Sequence, residues 1–215
     1  MVRLRITEIF YSLQGESNAV GLPTVFIRLT GCPLRCGYCD TSYAFKGGSW
    51  MTLPEILGRV SQHTARYVMV TGGEPLAQRE CLPLLSALCD AGYKVSLETS
   101  GALDLCGVDP RVVRVMDLKT PGSGELKRNL YSNIECLGWR DQIKFVICDE
   151  EDYLWARGQL DKWALNDRCE VLFSPAQGRG TLSATQLADW ILRDRLLVRF
   201  QIQLHKYLWG DVAGK

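Results

Sequence analysis

The chain predicts an α/β fold built on a mostly parallel sheet, and three observations predict it. Short β-rich runs alternate with helical ones from residue 24 onward, successive β-runs end in polar, glycine-rich loops, and 215 residues at 47% hydrophobic composition suffice for one sizeable core. Such alternation builds either a doubly wound sheet or one curled toward a barrel, and in both the functional loops lie at the carboxyl ends of the strands. No internal repeat, low-complexity tract or linker divides the chain, so a single domain over residues 1–215 is expected.

The strand candidates, in order, are TVFIRLT (24–30), YVMVT (67–71), KVSLET (94–99), VVRVMDL (112–118), QIKFVIC (142–148), EVLFS (170–174) and VRFQIQL (198–204). Between the first two, TLPEILGRVSQ (52–62) opens with Thr52 as a helix cap and spaces Leu53, Ile56, Leu57 and Val60 along one face. QRECLPLLSALCDAG (78–92) ends in Gly92, a helix stop. SATQLADWILRDRLL (183–197) opens with Ser183 as a cap and carries Leu187 and Ile191 on one side.

Charge narrows the partners. The net charge is +1 with no cluster of Lys or Arg, which argues against a grip on nucleic-acid backbone and for a small or acidic substrate. The start, MVRLRITEIFYSLQGES, interrupts its apolar residues with charges and a turn, unlike a secretion signal or a membrane span of about 20 apolar residues; a cytoplasmic protein with no membrane partner is expected. In a reducing compartment the nine cysteines are expected to bind metal, act in catalysis or lie buried rather than form disulfides. Cys81, Cys89, Cys106, Cys136, Cys148 and Cys169 are scattered and are expected to be buried structural thiols.

Only Cys32, Cys36 and Cys39 are tightly grouped, as CxxxCxxC on the loop leaving the first strand run. A structural zinc takes four ligands, usually as two separated pairs, and no second CxxC or HxxxH pair follows. An iron–sulfur cube held by three thiolates leaves one iron open to an outside ligand. GGEP (72–75) ends the next run, and glycine lets backbone approach a ligand closely. In the first strand run, Val25, Ile27 and Leu29 alternate with Phe26, Arg28 and Thr30, so Arg28 faces inward if the apolar side packs under helices. Its partner is either a substrate carboxylate, held bidentately, or one of Glu16, Glu74 and Glu98. His205 and Lys206 lie just past the last strand run, where they can serve a substrate.

CxxxCxxC with Tyr38 before the last cysteine resembles the signature of radical S-adenosylmethionine enzymes, and TGGEP (71–75) resembles that superfamily's GGE motif. EIFYSLQGES, FIRLTGCPLRCGYCDT, CDTSYAF, ETSG, DLKTPGSGE, QIKFVI and QLHKY resemble more narrowly the 7-carboxy-7-deazaguanine synthases of the queuosine pathway, over about residues 6–209. The resemblance implies an incomplete (β/α)6 TIM-like barrel with outer helices, an N-terminal substrate-binding segment over 1–23 and a C-terminal extension from about 205. It implies a carbon–nitrogen lyase that converts 6-carboxy-5,6,7,8-tetrahydropterin to 7-carboxy-7-deazaguanine, losing ammonia, with a [4Fe–4S] cluster, S-adenosylmethionine and Mg²⁺. A homodimer and an electron donor such as a flavodoxin are further implications; of the six tryptophans, expected in the core, Trp209 is the candidate dimer contact.

Carried over by position, the resemblance places the cluster on Cys32, Cys36 and Cys39, and Mg²⁺ on Thr41, whose other reading is a loop hydrogen bond. It places S-adenosylmethionine against Tyr38, Cys39 and Asp40, against Gly72, Gly73 and Glu74, against Gly101, against Gln142, Ile143 and Lys144, and against Ser174, Pro175, Ala176 and Gln177. Pterin contacts fall on Leu13, Gln14, Gly15, Arg28 and Thr99; Glu16 and His205 are separate candidates by position, and Lys215 ends a GDVAGK stretch past HKYLW that departs from the family members whose terminal carboxylate reaches the substrate site. Two rivals remain: a glycyl-radical-enzyme activating protein, which shares CxxxCxxC and GGE but acts on a protein chain, and a non-catalytic zinc-binding protein, which would be colourless.

Overall fold

In the computed structural model, described over residues 3–177 and 182–214, the chain runs through nine strands and five α-helices. The strands are β1 (Arg3–Leu13), β2 (Pro23–Leu29), β3 (Ser49–Thr52), β4 (Tyr67–Gly72), β5 (Lys94–Thr99), β6 (Val113–Asp117), β7 (Gln142–Ile147), β8 (Glu170–Pro175) and β9 (Arg199–Phe200). The helices are α1 (Leu53–Val60), α2 (Cys81–Asp90), α3 (Glu150–Trp163), α4 (Ala184–Arg193) and α5 (Leu204–Trp209). Lys215 lies outside the described residues.

One sheet takes all the strands in the order β3-β1-β2-β4-β5-β6-β7-β8-β9. From β2 to β9 every neighbour is parallel, while β1 is antiparallel to both β2 and β3. Strands β2, β4, β5, β6, β7 and β8 are the six of the expected incomplete barrel, and the sheet stays open because β3 and β9 end it without meeting. All seven sequence-predicted runs are strands, although the last shrinks to Arg199–Phe200 because Leu204 starts α5. The sequence reading did not find β1 and β3, which form an antiparallel ribbon outside the β/α alternation, nor α3, whose Asp149 side chain accepts from the Asp152 amide as its cap.

Alternation along the strands assigns the two faces of the sheet. Val25, Ile27, Leu29, Val68, Val70, Val95 and Leu97 pack with Ile56 and Val60 of α1 and Leu84, Leu85 and Leu88 of α2 in one core cluster. Ile143, Phe145, Ile147, Val171 and Phe173 pack with Tyr153 and Leu160 of α3 and Leu187 and Ile191 of α4 in the other. The opposite face carries Phe26, Arg28, Thr71, Glu98, Lys144, Val146 and Ser174, all on the wall of one cavity. The predicted caps hold: Thr52 and Glu55 form a reciprocal capping box on α1, Gly92 turns the chain out of α2 at φ +88°, and Ser183 caps α4.

Candidate active site

The cavity, about 1320 Å³ including its mouth, sits on the concave face at the carboxyl ends of the strands. Its wall gathers Leu13, Gln14, Gly15 and Glu16 from the end of β1, the cysteine loop after β2, Gly72 and Gly73 at the end of β4, and Thr99 and Ser100 at the end of β5. Asp117 and Lys119 at the end of β6, Lys144 of β7, residues 174–177 at the end of β8 and Gln203, His205 and Lys206 from the C-terminal segment complete it.

Cys32, Cys36 and Cys39 are free, half-buried and all on this wall. The Leu34 amide donates to Cys32 Sγ at 3.4 Å, and the Glu74 amide donates to Gly31 O at 2.8 Å, which ties the cysteine loop to the end of β4. Gly73 is the point of closest approach: a Cβ there would stand 2.3 Å from Gly31 O and 2.7 Å from Cys32 Cβ. Burial pushes the Cys32 and Cys36 thiols up, and the nearby Lys119 ammonium opposes it.

Glu74 is fully buried and does not face the cavity. Its carboxylate accepts from Thr99 Oγ1 at 2.9 Å, the Ser100 amide at 2.6 Å and the Leu76 amide at 3.0 Å, binding the end of β4 to the end of β5. Its side chain therefore supports the site's backbone rather than touching a ligand. Glu74→Gln replaces an oxygen facing these donors by an NH₂, and we expect urea denaturation to show a loss of about 1–3 kcal/mol; an unchanged midpoint would count against this role.

Arg28 faces inward as predicted, but its partner is none of the three glutamates considered. Nε donates to Glu8 Oε1 at 2.6 Å, and Glu8 stands directly across the β1–β2 ladder from Arg28. Glu8 escaped the sequence reading because β1 did. Beside this pair, Phe10 and Phe26 are also cross-strand partners, with rings stacked at 4.9 Å. Lys144 donates at 2.7 Å to both Glu16 and Glu98. Burial opposes its charge, but those two carboxylates prevail and raise it well above an ordinary lysine.

After β6, Asp117 and Lys119 stand two apart in extended chain and pair at 2.7 Å. Lys119 Nζ lies 5.5 Å from the centre of the Tyr38 ring, and Asp117 Oδ1 and the Tyr38 hydroxyl are both buried without a partner among the described residues. The i, i+2 acid and base at a strand end were a legible signal that the sequence reading did not use. Burial would raise the Asp40 carboxyl, but Lys206 at 3.0 Å with Gln203 and Thr41 holds it well below the usual range. Thr41 Oγ1 donates to Asp40 Oδ1 at 2.8 Å, so the loop hydrogen bond is present. Gln203 donates to Glu16 at 2.8 Å as well, which binds the start of α5 to the β1 turn.

Besides Glu74, three further expected cofactor contacts do not line the cavity. Ile143 points to the opposite face, into the core with Phe145, because it is one residue out of phase with Lys144. Gln142 is fully buried beneath the cavity, where Oε1 accepts from the Asn18 amide. Gly101 turns away at φ +70°, and its carbonyl accepts from Asn133 Nδ2. Cys106 and Cys136, expected as separate buried thiols, are instead disulfide-bonded, with Cys106 exposed; their convergence is tertiary and has no local sequence signal.

An open half-barrel carrying CxxxCxxC and a glycine-glycine strand end defines a radical S-adenosylmethionine protein, and the profile described as the Radical SAM superfamily matches residues 26–117. The chain is 47% identical to the 7-carboxy-7-deazaguanine synthase of Chlorobaculum tepidum over 98% of this chain and 96% of that one. It is 44% identical to the synthase of Koribacter versatilis over 96% and 97%. The crystal structure of QueE from Escherichia coli shares the fold, with a TM-score of 0.78 at 24% identity over 95% of this chain and 96% of that one. The chain belongs to the 7-carboxy-7-deazaguanine synthase family. A [4Fe–4S] cluster and S-adenosylmethionine come with that membership, and the rival zinc-protein and activating-enzyme readings fall away. No helix among the described residues is long and apolar enough to cross a membrane.

Proposed function

We propose that this chain converts 6-carboxy-5,6,7,8-tetrahydropterin to 7-carboxy-7-deazaguanine with release of ammonia, in the cytoplasm, as a homodimer supplied with electrons by a flavodoxin-type donor. The observation that carries the reading is that one cavity joins the three free cysteines to a wall of cationic, amide and aromatic side chains suited to a flat, carboxylated heterocycle. When bound, the cluster and S-adenosylmethionine supply one-electron chemistry for hydrogen abstraction. Everything else is binding and orientation by this chain's own residues.

Cys32, Cys36 and Cys39 hold the cluster. Tyr38, Asp40, Gly72, Gly73 and the Ser174–Gln177 turn surround S-adenosylmethionine, whose carboxylate the Lys119 ammonium is placed to receive. Lys119 stays charged: burial opposes the charge, but Asp117 and its neighbours raise the group above an ordinary lysine. Gln14 offers a buried, unpartnered Nε2 to a pterin acceptor. Arg28 takes the substrate carboxylate, shared with Glu8, and Leu13, Gly15, Thr99 and Phe10 close round the ring and exclude water. Glu16 and His205 line the same pocket, and a Cβ on Gly15 would stand 2.0 Å from His205 Nδ1, so the ring packs directly on that turn.

The test is anaerobic incubation of cluster-reconstituted protein with the pterin, S-adenosylmethionine, Mg²⁺ and a reductant. 7-Carboxy-7-deazaguanine should form, and none above a reaction lacking S-adenosylmethionine would sink the assignment. Thr41 is the proposed Mg²⁺ ligand from the protein, the remaining positions coming from substrate oxygens and water. Thr41→Ala is expected to raise the Mg²⁺ concentration for half-maximal rate by about tenfold, and an unshifted Mg²⁺ titration would remove Thr41 from that role.

A further inference from the structure

We propose that Cys106 and Cys136 are a reversible dithiol–disulfide couple, a covalent modification site addressed by small-molecule disulfides and separate from the cluster thiols. The two residues lie 30 apart in sequence with Cα atoms 5.5 Å apart, within the span of native bridges. Cys106 is exposed and Cys136 half-buried, so a disulfide the size of oxidised glutathione can reach them. The other thiols outside the cluster are poorer targets. Cys81 and Cys169 are buried, burial with Asp109 nearby raises the half-buried Cys89, and burial, with Asp152 beside it, pushes Cys148 up to about 12.

The exchange balances without further reagents. One protein thiolate attacks the small disulfide, releasing one small thiol; the second thiolate displaces the other. The protein pair loses two electrons and two protons, and both appear in two reduced small thiols.

The bridge is wired to the cavity wall. Asn133, three residues before Cys136, donates from Nδ2 to Gly101 O at 3.0 Å and Leu103 O at 2.8 Å, and accepts from the Leu105 amide at 3.1 Å. Bond formation thus staples the loop that continues from Thr99 and Ser100 to the turn that holds it. The Asp104 carboxylate lies within 4.8 Å of both sulfurs, where its charge repels an incoming anionic thiolate and protects the bridge from reduction.

The experiment equilibrates the anaerobic holoenzyme in glutathione buffers of graded oxidised-to-reduced ratio, quenches with iodoacetamide and maps peptides by mass spectrometry. A peptide joining Cys106 to Cys136 should appear with oxidation and vanish with reduction while the cluster absorbance stays constant. The oxidised form should melt about 5–10 °C higher, as expected for a bridge closing a loop of this length. Asp104→Asn should be reduced by glutathione about threefold faster, and Cys106→Ser or, independently, Cys136→Ser should abolish the linked peptide. Carboxamidomethylation of both cysteines at every ratio, separate glutathione adducts, or a zinc ion bound by the pair in place of a bridge would overturn the proposal.

Discussion

A Gly73→Ala enzyme should keep about one hundredth of the parent activity and lose most of its iron, a deficit comparable to deleting a cluster thiolate with Cys36→Ala. The added methyl meets backbone, at 2.3 Å from Gly31 O, and the base of Cys32 at 2.7 Å, so no side-chain rotation relieves it. The cysteine loop must move away from the end of β4, and the Glu74 amide to Gly31 carbonyl bond is lost with it. Iron content and visible absorbance after reconstitution read the loss directly. A variant that binds a full cluster would show that the loop finds its geometry without this contact.

Lys144→Met should destabilise the protein by about 3–5 kcal/mol at neutral pH, because it leaves Glu16 and Glu98 facing each other without their cation. The pH dependence changes sign. In the parent, burial opposes the Glu98 charge, but Lys144 and its other neighbours hold its pKa below the ordinary value. That contribution is fully present above the unfolded glutamate pKa of about 4.3 and is lost as pH falls from there through the lower folded-state value. Without Lys144, burial dominates and raises Glu98, so the variant should gain stability on acidification from pH 7 toward 5, where the parent does not. Denaturant midpoints at pH 5 and 7 decide the matter, and parallel curves for the two proteins would contradict the pairing.

The legible part of this molecule was the part written in local pattern. Period-two apolar runs marked every parallel strand, and Thr52, Gly92 and Ser183 marked helix ends because caps are short-range. β1 alternates only over residues 3–6 and β3 is four residues long, so the ribbon strands carry too little local pattern, and their pairing with distant partners is what makes them strands. Missing β1 meant missing Glu8, and so assigning Arg28 the wrong set of acidic partners.

For the site, the same division holds. CxxxCxxC, Tyr38 and the glycines carry their chemistry at fixed short spacing, and family motifs extended that to Gln14, Arg28 and Thr99, all of which stand on the cavity wall. Ile143 was carried over beside Lys144, yet one strand alternates its faces and sends it into the core, while Gln142 shares the face of Lys144 but is fully buried, held by the Asn18 amide. The sequence by itself determined an α/β chain of seven parallel strand runs and a three-thiolate loop, because those follow from patterns a few residues long. Only the tertiary structure decided the Arg28–Glu8 pair, the Lys144 cation between Glu16 and Glu98, and the Cys106–Cys136 bridge. Each of these joins segments 20 or more residues apart, and an ion pair or a disulfide depends on distances that folding sets.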